Sequence, residues 1–112
     1  MTLPRKIERQ PRFNMAKRIR SPGHLAWIRE HGCCVPSCGG MPIEAAHVRT
    51  GTQAGVGIKP DDCWAISLCS DHHRMQHQIG ERAFEIKHGI DMKALAREFA
   101  SKSPHKAKFN RP

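Results

Sequence analysis

The spacing of hydrophobic residues first predicts a short helix near the start of the chain. Leu25 and Ile28 recur at a three-residue step within residues 22–31, as they would on one face of a helix. The signals around it are a capping serine, a first-turn proline and a terminating glycine, namely Ser21, Pro22 and Gly32. We therefore expect a helix that lies on the core of the protein.

Two short apolar runs then predict strands. Residues 43–48 are apolar at both ends and contain His47, and residues 63–69 have the composition of a second strand. The stretch between them, residues 49–62, is rich in glycine and has no hydrophobic periodicity. It is therefore predicted to be a loop, and a long one for so small a domain.

A second helix is predicted directly after the second strand. Ser70 or Asp71 can cap it, and Gly80 can end it. At about 100° per residue, two histidines fall on one side and two apolar residues fall nearly opposite, namely His73 with His77, and Met75 with Ile79. The helix is expected to pack through its apolar side and to present two imidazoles on the other.

The rest of the sequence predicts two more helical segments. One or two turns are expected before Gly89, and Asp91 can cap a last helix. The inward positions of that helix are Met92, Leu95 and Phe99, with Ile90 placed to contact Leu95. This order of elements predicts an α+β fold with one small domain, residues 21–101.

Positive charge is concentrated at the two ends of the chain. Residues 1–20 have a net charge of +6 and residues 102–112 of +4, whereas the segment between them has a net charge of −1. Both ends contain prolines and few apolar residues, so we expect a disordered basic arm and a disordered basic tail.

Mobile cationic segments suit a polyphosphate, because each Lys or Arg that meets a phosphate releases condensed counterions. DNA is the expected partner, mainly through its phosphates and with low sequence specificity. No membrane is expected, since no apolar run approaches the roughly 20 residues of a membrane span. The candidate phosphate-binding residues are Arg12, Lys17, Arg18, Arg20, Arg49, Lys59 and Arg74.

The cysteines predict a structural zinc site rather than disulfides. There are five of them, an odd number, two are adjacent, and no apolar signal peptide follows Met1. A structural zinc ion commonly takes four ligands from two short turns. The expected ligands are Cys34 and Cys38 from the first turn and Cys69 and His72 from the second, with Cys33 as the alternative to Cys34.

A second metal site is predicted on the same helix. With His72 bound to zinc, His73 points about 100° away around the helix, and His77 lies one turn further on. Histidines at this spacing can share a metal ion. His47 is the third histidine of the expected site, because it lies on the strand that the zinc ties to this helix.

Three stretches of the chain resemble a known family. They are "HLAWIRE", "EAAHVRTG" and "KPDDCWAISLCSDHHRMQHQIGERAF", within residues 24–100. Together they resemble the HNH or His-Me finger endonucleases, and more narrowly small phage nucleases similar to the recombination enhancement function protein, together with related domains of unknown function. The resemblance implies a ββα-metal core, two strands and a helix around a catalytic divalent cation, stabilised by a zinc knuckle.

Residue by residue, the resemblance implies His47 as the general base and His73 and His77 as ligands of the catalytic cation. A neutral imidazole with a pKa near 6.5 can take the proton of an attacking water. Arg49 or Arg74 is expected to hold the phosphate.

Two positions depart from the family pattern. Ala46 stands where an acidic or histidine ligand often precedes the base, and no asparagine lies in the loop that follows His47. Asp62 is the expected replacement, either as a ligand of the catalytic cation or as the residue that orients a histidine. Asp61 and Glu44 are weaker candidates for that place.

The implied function is a metal-dependent endonuclease acting on DNA phosphodiester bonds in phage recombination or DNA processing. Its expected cofactors are a structural zinc ion and a catalytic magnesium or manganese ion, with other divalent transition metals as alternatives and no small-molecule cofactor. Its expected location is the cytoplasm of a bacterial host. Two alternatives stay open: a degenerate module that binds DNA and cuts nothing, and a nuclease that acts only with a recombinase or another phage protein.

Overall fold

A two-stranded antiparallel sheet lies at the centre of the fold. Strand β1 spans Ile43–His47 and strand β2 spans Ala65–Cys69. His47 pairs with Ala65, so the last residue of β1 lies beside the first residue of β2. The computed structural model describes residues 3–4, 18–52 and 59–109 of the chain.

Four α-helices and a short 3-10 helix accompany the sheet. They are α1 (Pro22–Ile28), α2 (Ser70–Ile79), α3 (Glu81–His88), α4 (Met92–Lys102) and the C-terminal 3-10 helix (Lys106–Phe109). The predicted α+β class and order of elements are confirmed, although α1 ends at Ile28 rather than at residue 31. None of the helices in the described ranges is long and apolar enough to cross a membrane.

Side-chain caps fix where the helices begin. The Ser21 hydroxyl accepts a hydrogen bond from the His24 N–H at 3.3 Å, and the Asp91 carboxylate accepts one from the Ala94 N–H at 3.0 Å, as predicted. Helix α2 begins one residue earlier than a Ser70 cap implies and two earlier than an Asp71 cap implies, because the last residue of β2, Cys69, is its cap. Strand β2 therefore passes directly into α2.

The core forms where alternate strand positions meet α3 and α4. Its buried members are Val35, Ala46, Val48, Ile66, Leu68, Phe84, Met92 and Ala96. Met75 packs against this cluster as predicted, but Ile79 is 42% exposed and the buried residue of α2 is Gln76. The prediction for Ile79 is wrong: at about 100° per residue it lies between Met75 and Gln76, but it is the last residue of α2 and is left largely open to solvent.

The basic tail folds back on α1 as far as Phe109. The Ser103 hydroxyl lies 2.8 Å from Nδ1 of the buried His24, and the Phe109 ring packs edge-on against the same imidazole at 4.9 Å. The prediction of a disordered tail is therefore wrong for residues 102–109, because one apolar ring and one hydroxyl are enough to attach them. The predicted disordered arm spans residues 1–20, of which residues 1–2 and 5–17 lie outside the described part of the chain. Residues 18–20 are described and are attached to the domain, since the Ile19 N–H donates to the Asp61 carboxylate at 2.8 Å.

His24 should make stability depend on pH. Burial lowers its pKa below the usual value near 6.5, so the unfolded chain protonates first as the pH falls. The free energy of unfolding is then complete above about pH 6.5 and declines below it, by at most about 1.4 kcal/mol per pH unit. Urea unfolding of wild type and His24→Gln between about pH 7.5 and 5.5 measures this slope. Parallel curves for the two proteins would contradict the assignment.

Candidate metal centre and histidine site

Four side chains form a group suited to a metal ion. The ligand atoms of Cys33, Cys38, Cys69 and His72 all lie within 4.8 Å of one another. The three sulfurs lie 3.5, 3.4 and 3.2 Å from His72 Nδ1 respectively, and the Cys38 and Cys69 sulfurs are 3.9 Å apart. Tetrahedral zinc bonds require separations of about 3.6 Å for nitrogen to sulfur and about 3.8 Å for sulfur to sulfur. The Cys3His group is therefore compatible with a structural zinc ion.

Local backbone geometry brings the two halves of this group together. Cys69 ends β2 and His72 lies in the first turn of α2, so their C-x-x-H spacing comes from the strand-to-helix junction. The Gly40 N–H donates to the Cys38 sulfur at 3.3 Å. A Cβ atom at residue 40 would lie only 2.9 Å from the Cys69 sulfur, so the close approach of the two turns requires glycine there.

One residue of this group differs from the zinc ligands expected from the sequence. Cys33 occupies the place expected for Cys34, whose N–H donates to the Ser67 carbonyl at 2.9 Å and whose sulfur lies 3.4 Å from the Ser67 hydroxyl. The prediction of Cys34 is wrong because this pairing with β2 turns its side chain toward Ser67, and its neighbour then points toward His72. The structure therefore places the alternative ligand, Cys33, in the group.

Binding of a zinc ion to this group would release protons. Burial raises the pKa of the Cys33 thiol to about 11, whereas the Gly40 N–H lowers the pKa of Cys38. A thiol with so high a pKa is protonated at neutral pH and loses its proton when a cation binds. Cys33 is therefore a thiol that a bound cation would deprotonate.

His47 forms a half-buried pair with Asp62. Its Nε2 atom lies 2.9 Å from Asp62 Oδ1, and the Asp62 side chain is only 3% exposed. A carboxylate only accepts hydrogen bonds, so Nε2 carries the proton and Nδ1 of the neutral ring carries the lone pair. Burial lowers the pKa of His47, against the opposing effect of Asp62. The ring is thus held neutral, in one tautomer, near physiological pH.

Asp62 orients His47 and does not join the predicted metal ligands. Its second oxygen accepts the Ser21 N–H at 2.7 Å. Burial alone would raise the pKa of Asp62, but the hydrogen bonds from His47 and Ser21 hold it below its usual value. The prediction of Asp62 as a ligand beside His73 and His77 is wrong, because these buried hydrogen bonds hold it elsewhere. Its alternative role, to orient a histidine, is the observed one.

The two histidines of α2 face each other as the helical spacing predicts. Nε2 of His73 and Nε2 of His77 are 3.3 Å apart, and Glu44 Oε1 lies 2.7 Å from His73 Nδ1. Two nitrogens that bind one ion at about 2.1 Å in adjacent positions are about 3.0–3.4 Å apart. Glu44 accepts the Nδ1 proton and leaves the Nε2 lone pair of His73 for such an ion, the arrangement typical of metal-binding histidines.

Gln76 and Glu81 connect these groups, and the hydrophobic pattern did not reveal them. The Gln76 amide donates to the His47 carbonyl at 3.1 Å and to Glu81 at 3.0 Å. Glu81 also accepts the backbone N–H groups of Arg49 and Thr50, at 2.8 and 2.7 Å. The end of β1 is therefore fastened to α2 beside His77. The sequence signal for this connection was Gln76, a polar residue directly after the inward-facing Met75.

The candidate phosphate-binding residues occupy different environments. Arg20 donates to the Lys59 and Pro60 carbonyls and lies 3.3 Å from Asp62, so it holds the segment before β2. Arg74 is exposed and lies 3.7 Å from Asp71. The others in the described chain are the exposed Lys59 and the half-buried Arg18 and Arg49, whereas Arg12 and Lys17 lie outside it.

These observations define a small α+β protein with a Cys3His group that can hold a structural metal ion. The chain belongs to the DUF968 family, described as a protein of unknown function, which matches residues 5–103. It is 33% identical over 75 residues to the uncharacterized protein YdfU of Escherichia coli (strain K12). That match covers 66% of this chain but only 20% of YdfU, so the chain spans about a fifth of that relative. No solved structure matches significantly.

Proposed function

We propose that this protein is a metal-dependent endonuclease of the HNH or His-Me finger type, which hydrolyses DNA with low sequence specificity. The facing pair His73 and His77, with Glu44 fixing the tautomer of His73, is the observation that carries the proposal. A phage role in DNA recombination or processing, in the cytoplasm of the host, is the setting that the sequence resemblance suggests.

The His47–Asp62 pair supplies the second element of the proposal. A general base needs a lone pair, a pKa near or below the working pH and a fixed orientation. His47 meets these needs through Nδ1, because Asp62 binds the opposite nitrogen at 2.9 Å and burial disfavours the imidazolium. His47 is therefore proposed to take the proton of the attacking water.

The two histidine groups lie on one short strand. Glu44 and His47 are three positions apart on β1, so alternation sends their side chains to opposite faces of the strand. Among the described residues, β1 pairs only with β2, which leaves its other edge uncovered by any strand. At its end this edge is met by α2, because the Gln76 amide donates to the His47 carbonyl at 3.1 Å. The proposal therefore places the scissile phosphodiester near this junction of β1 and α2, between the His73–His77 pair and His47.

A divalent cation at His73 and His77 would act there as a Lewis acid for the scissile phosphate. Two imidazoles leave several positions for water and phosphate oxygens, and manganese tolerates nitrogen ligands better than magnesium does. Glu44 holds the ring of His73, and Gln76 and Glu81 hold the end of β1 against α2. These contacts would keep the base and the cation site at a constant separation.

A plasmid assay tests the proposal. Supercoiled plasmid should be nicked in the presence of manganese or magnesium. His77→Ala should reduce cleavage at least about tenfold, because mutating even the residues that hydrogen-bond to metal ligands typically reduces metal affinity or activity 10–100-fold. Gln78→Ala is the matched control, because it alters an exposed neighbour on the same turn and should leave cleavage unchanged.

The same assay separates the alternatives. DNA binding without cleavage at any cation concentration would favour a degenerate binding module, for which Ala46 and the engagement of Asp62 by Ser21 already argue. Cleavage that requires an added recombinase would favour a partner-dependent nuclease. Equal cleavage by wild type and His77→Ala would remove the histidine pair from the mechanism.

A further inference from the structure

A cleft with aromatic and cationic walls lies at the opposite end of β2 from the metal group. Its volume is about 460 Å³, and its walls include Trp64, Arg97, Ser101, Lys106 and Phe109. It shares no wall residue with the Cys3His group or with the histidine pair. The cleft is therefore a separate candidate site.

The cleft combines an aromatic surface with unneutralised positive charge. The Arg97 guanidinium, in the wall of the cleft, lies 5.7 Å from the Trp64 ring centre, within the range of cation–π contacts. Lys93 lies outside the cleft, with its Nζ atom 5.9 Å from the same ring centre. None of the ion pairs found among the described residues includes Lys93, Arg97 or Lys106. A ligand that fits these walls has a flat apolar part and a negatively charged part.

We propose that the cleft binds an unpaired base of single-stranded DNA against Trp64, with the adjoining phosphates on Arg97 and Lys106. This inference rests on the proposed function for the identity of the ligand as DNA, and it adds the form of the substrate. Proteins that hold single strands combine aromatic rings for the bases with cations for the backbone. A base stacked within duplex DNA cannot enter such a cleft without being unpaired.

The position of Trp64 relates the cleft to the proposed active site. The Trp64 carbonyl accepts the Val48 N–H at 2.8 Å, and Val48 follows the proposed base His47 directly. A DNA strand bound at Trp64 would therefore contact the same pair of hydrogen-bonded β-strands, β1 and β2, that contains His47. The nuclease would act best where DNA has unpaired bases, as in single strands or branched intermediates.

The test compares labelled 12-nucleotide single strands with and without their bases, by fluorescence anisotropy without added magnesium or manganese. The wild type should bind the normal strand about five- to a hundredfold more tightly than an abasic strand of equal charge, the range that stacking on aromatic side chains supports. Trp64→Leu should abolish this preference. A duplex of the same sequence should bind wild type and Trp64→Leu equally.

A charge variant makes the test independent of the half-buried ring. Arg97→Gln with Lys106→Gln removes two charges from the cleft, and Arg29→Gln with Arg82→Gln removes two exposed charges elsewhere. Binding of the normal strand should weaken at least about fivefold more in the first protein than in the second, because only the first loses contacts to phosphates beside a stacked base. Equal weakening would overturn the proposal, as would equal binding of normal and abasic strands by the wild type.

The result is separable from the nuclease test. Cleavage without any preference for bases overturns the role of the cleft and leaves the endonuclease proposal intact. A Trp64-dependent preference in a protein that never cuts DNA supports the cleft and counts against the endonuclease.

Discussion

Replacing Cys33 with serine is expected to remove bound zinc and most of the folded structure, whereas replacing Cys34 with serine is expected to leave both. Zinc binding by such sites has apparent free energies of about 10–16 kcal/mol, and domains of this size have only about 5–15 kcal/mol of stability. The core of this chain is small, with Phe84 as its single fully buried phenylalanine among the described residues. Loss of one thiolate should therefore leave little net stability.

The two cysteines form a matched pair for this experiment. They are adjacent, both are half-buried, and each substitution replaces one sulfur with one oxygen. Zinc content by elemental analysis and the thermal midpoint by circular dichroism are the measurements. About one zinc per chain is expected in the wild type and in Cys34→Ser. Zinc lost from Cys34→Ser and retained by Cys33→Ser would reverse the ligand assignment.

The zinc ligands show how far spacing alone reaches. The pairing of Cys69 with His72 was predictable because the strand, the cap and the first helical turn are all local features. The choice between Cys33 and Cys34 was not, because it depends on a backbone hydrogen bond to Ser67, more than 30 residues away. Spacing indicates that a turn carries ligands, but long-range pairing decides which side chain faces inward.

The carboxylates illustrate the same limit in the histidine site. Asp62 and Glu44 are both candidates from the sequence, and helical periodicity correctly predicts that His73 lies beside His77. Glu44 lies beside His73 because the register of β1 carries it to α2, whereas Asp62 is bound by the backbone at Ser21. Neither register nor a contact over 41 residues can be read from hydrophobic periodicity.

Helix α2 contains residues of both the Cys3His group and the histidine pair. A cation on His72 would tie the first turn of α2, and with it the backbone at His73, to the segment that contains Cys33 and Cys38. Gln76, one turn further on, fastens the same helix to the carbonyl of His47. If the protein is the proposed nuclease, loss of zinc should therefore reduce cleavage as well as stability, and its variants are best compared at equal zinc content.

Replacing His47 with alanine is expected to reduce cleavage about 10²- to 10⁴-fold, the usual contribution of a general base, while zinc content and DNA binding stay unchanged.

A second variant, Asp62→Asn, tests whether His47 acts as the base or has only a structural role. In the wild type, burial lowers the pKa of His47 while Asp62 opposes that shift, so cleavage should rise with pH through a midpoint below about 6.5 and then level off.

Removing the carboxylate should move this acid limb to still lower pH, because the group that favours the imidazolium is gone. The plateau rate should fall as well, since the neutral amide in Asp62→Asn no longer fixes the tautomer of His47 through a negative charge. Cleavage rates between about pH 5 and 8 at saturating manganese, for wild type and Asp62→Asn at equal zinc content, provide the measurement. An acid limb that stays in place would show that His47 does not titrate in the reaction, and cleavage by His47→Ala at the wild-type rate would remove it from the mechanism.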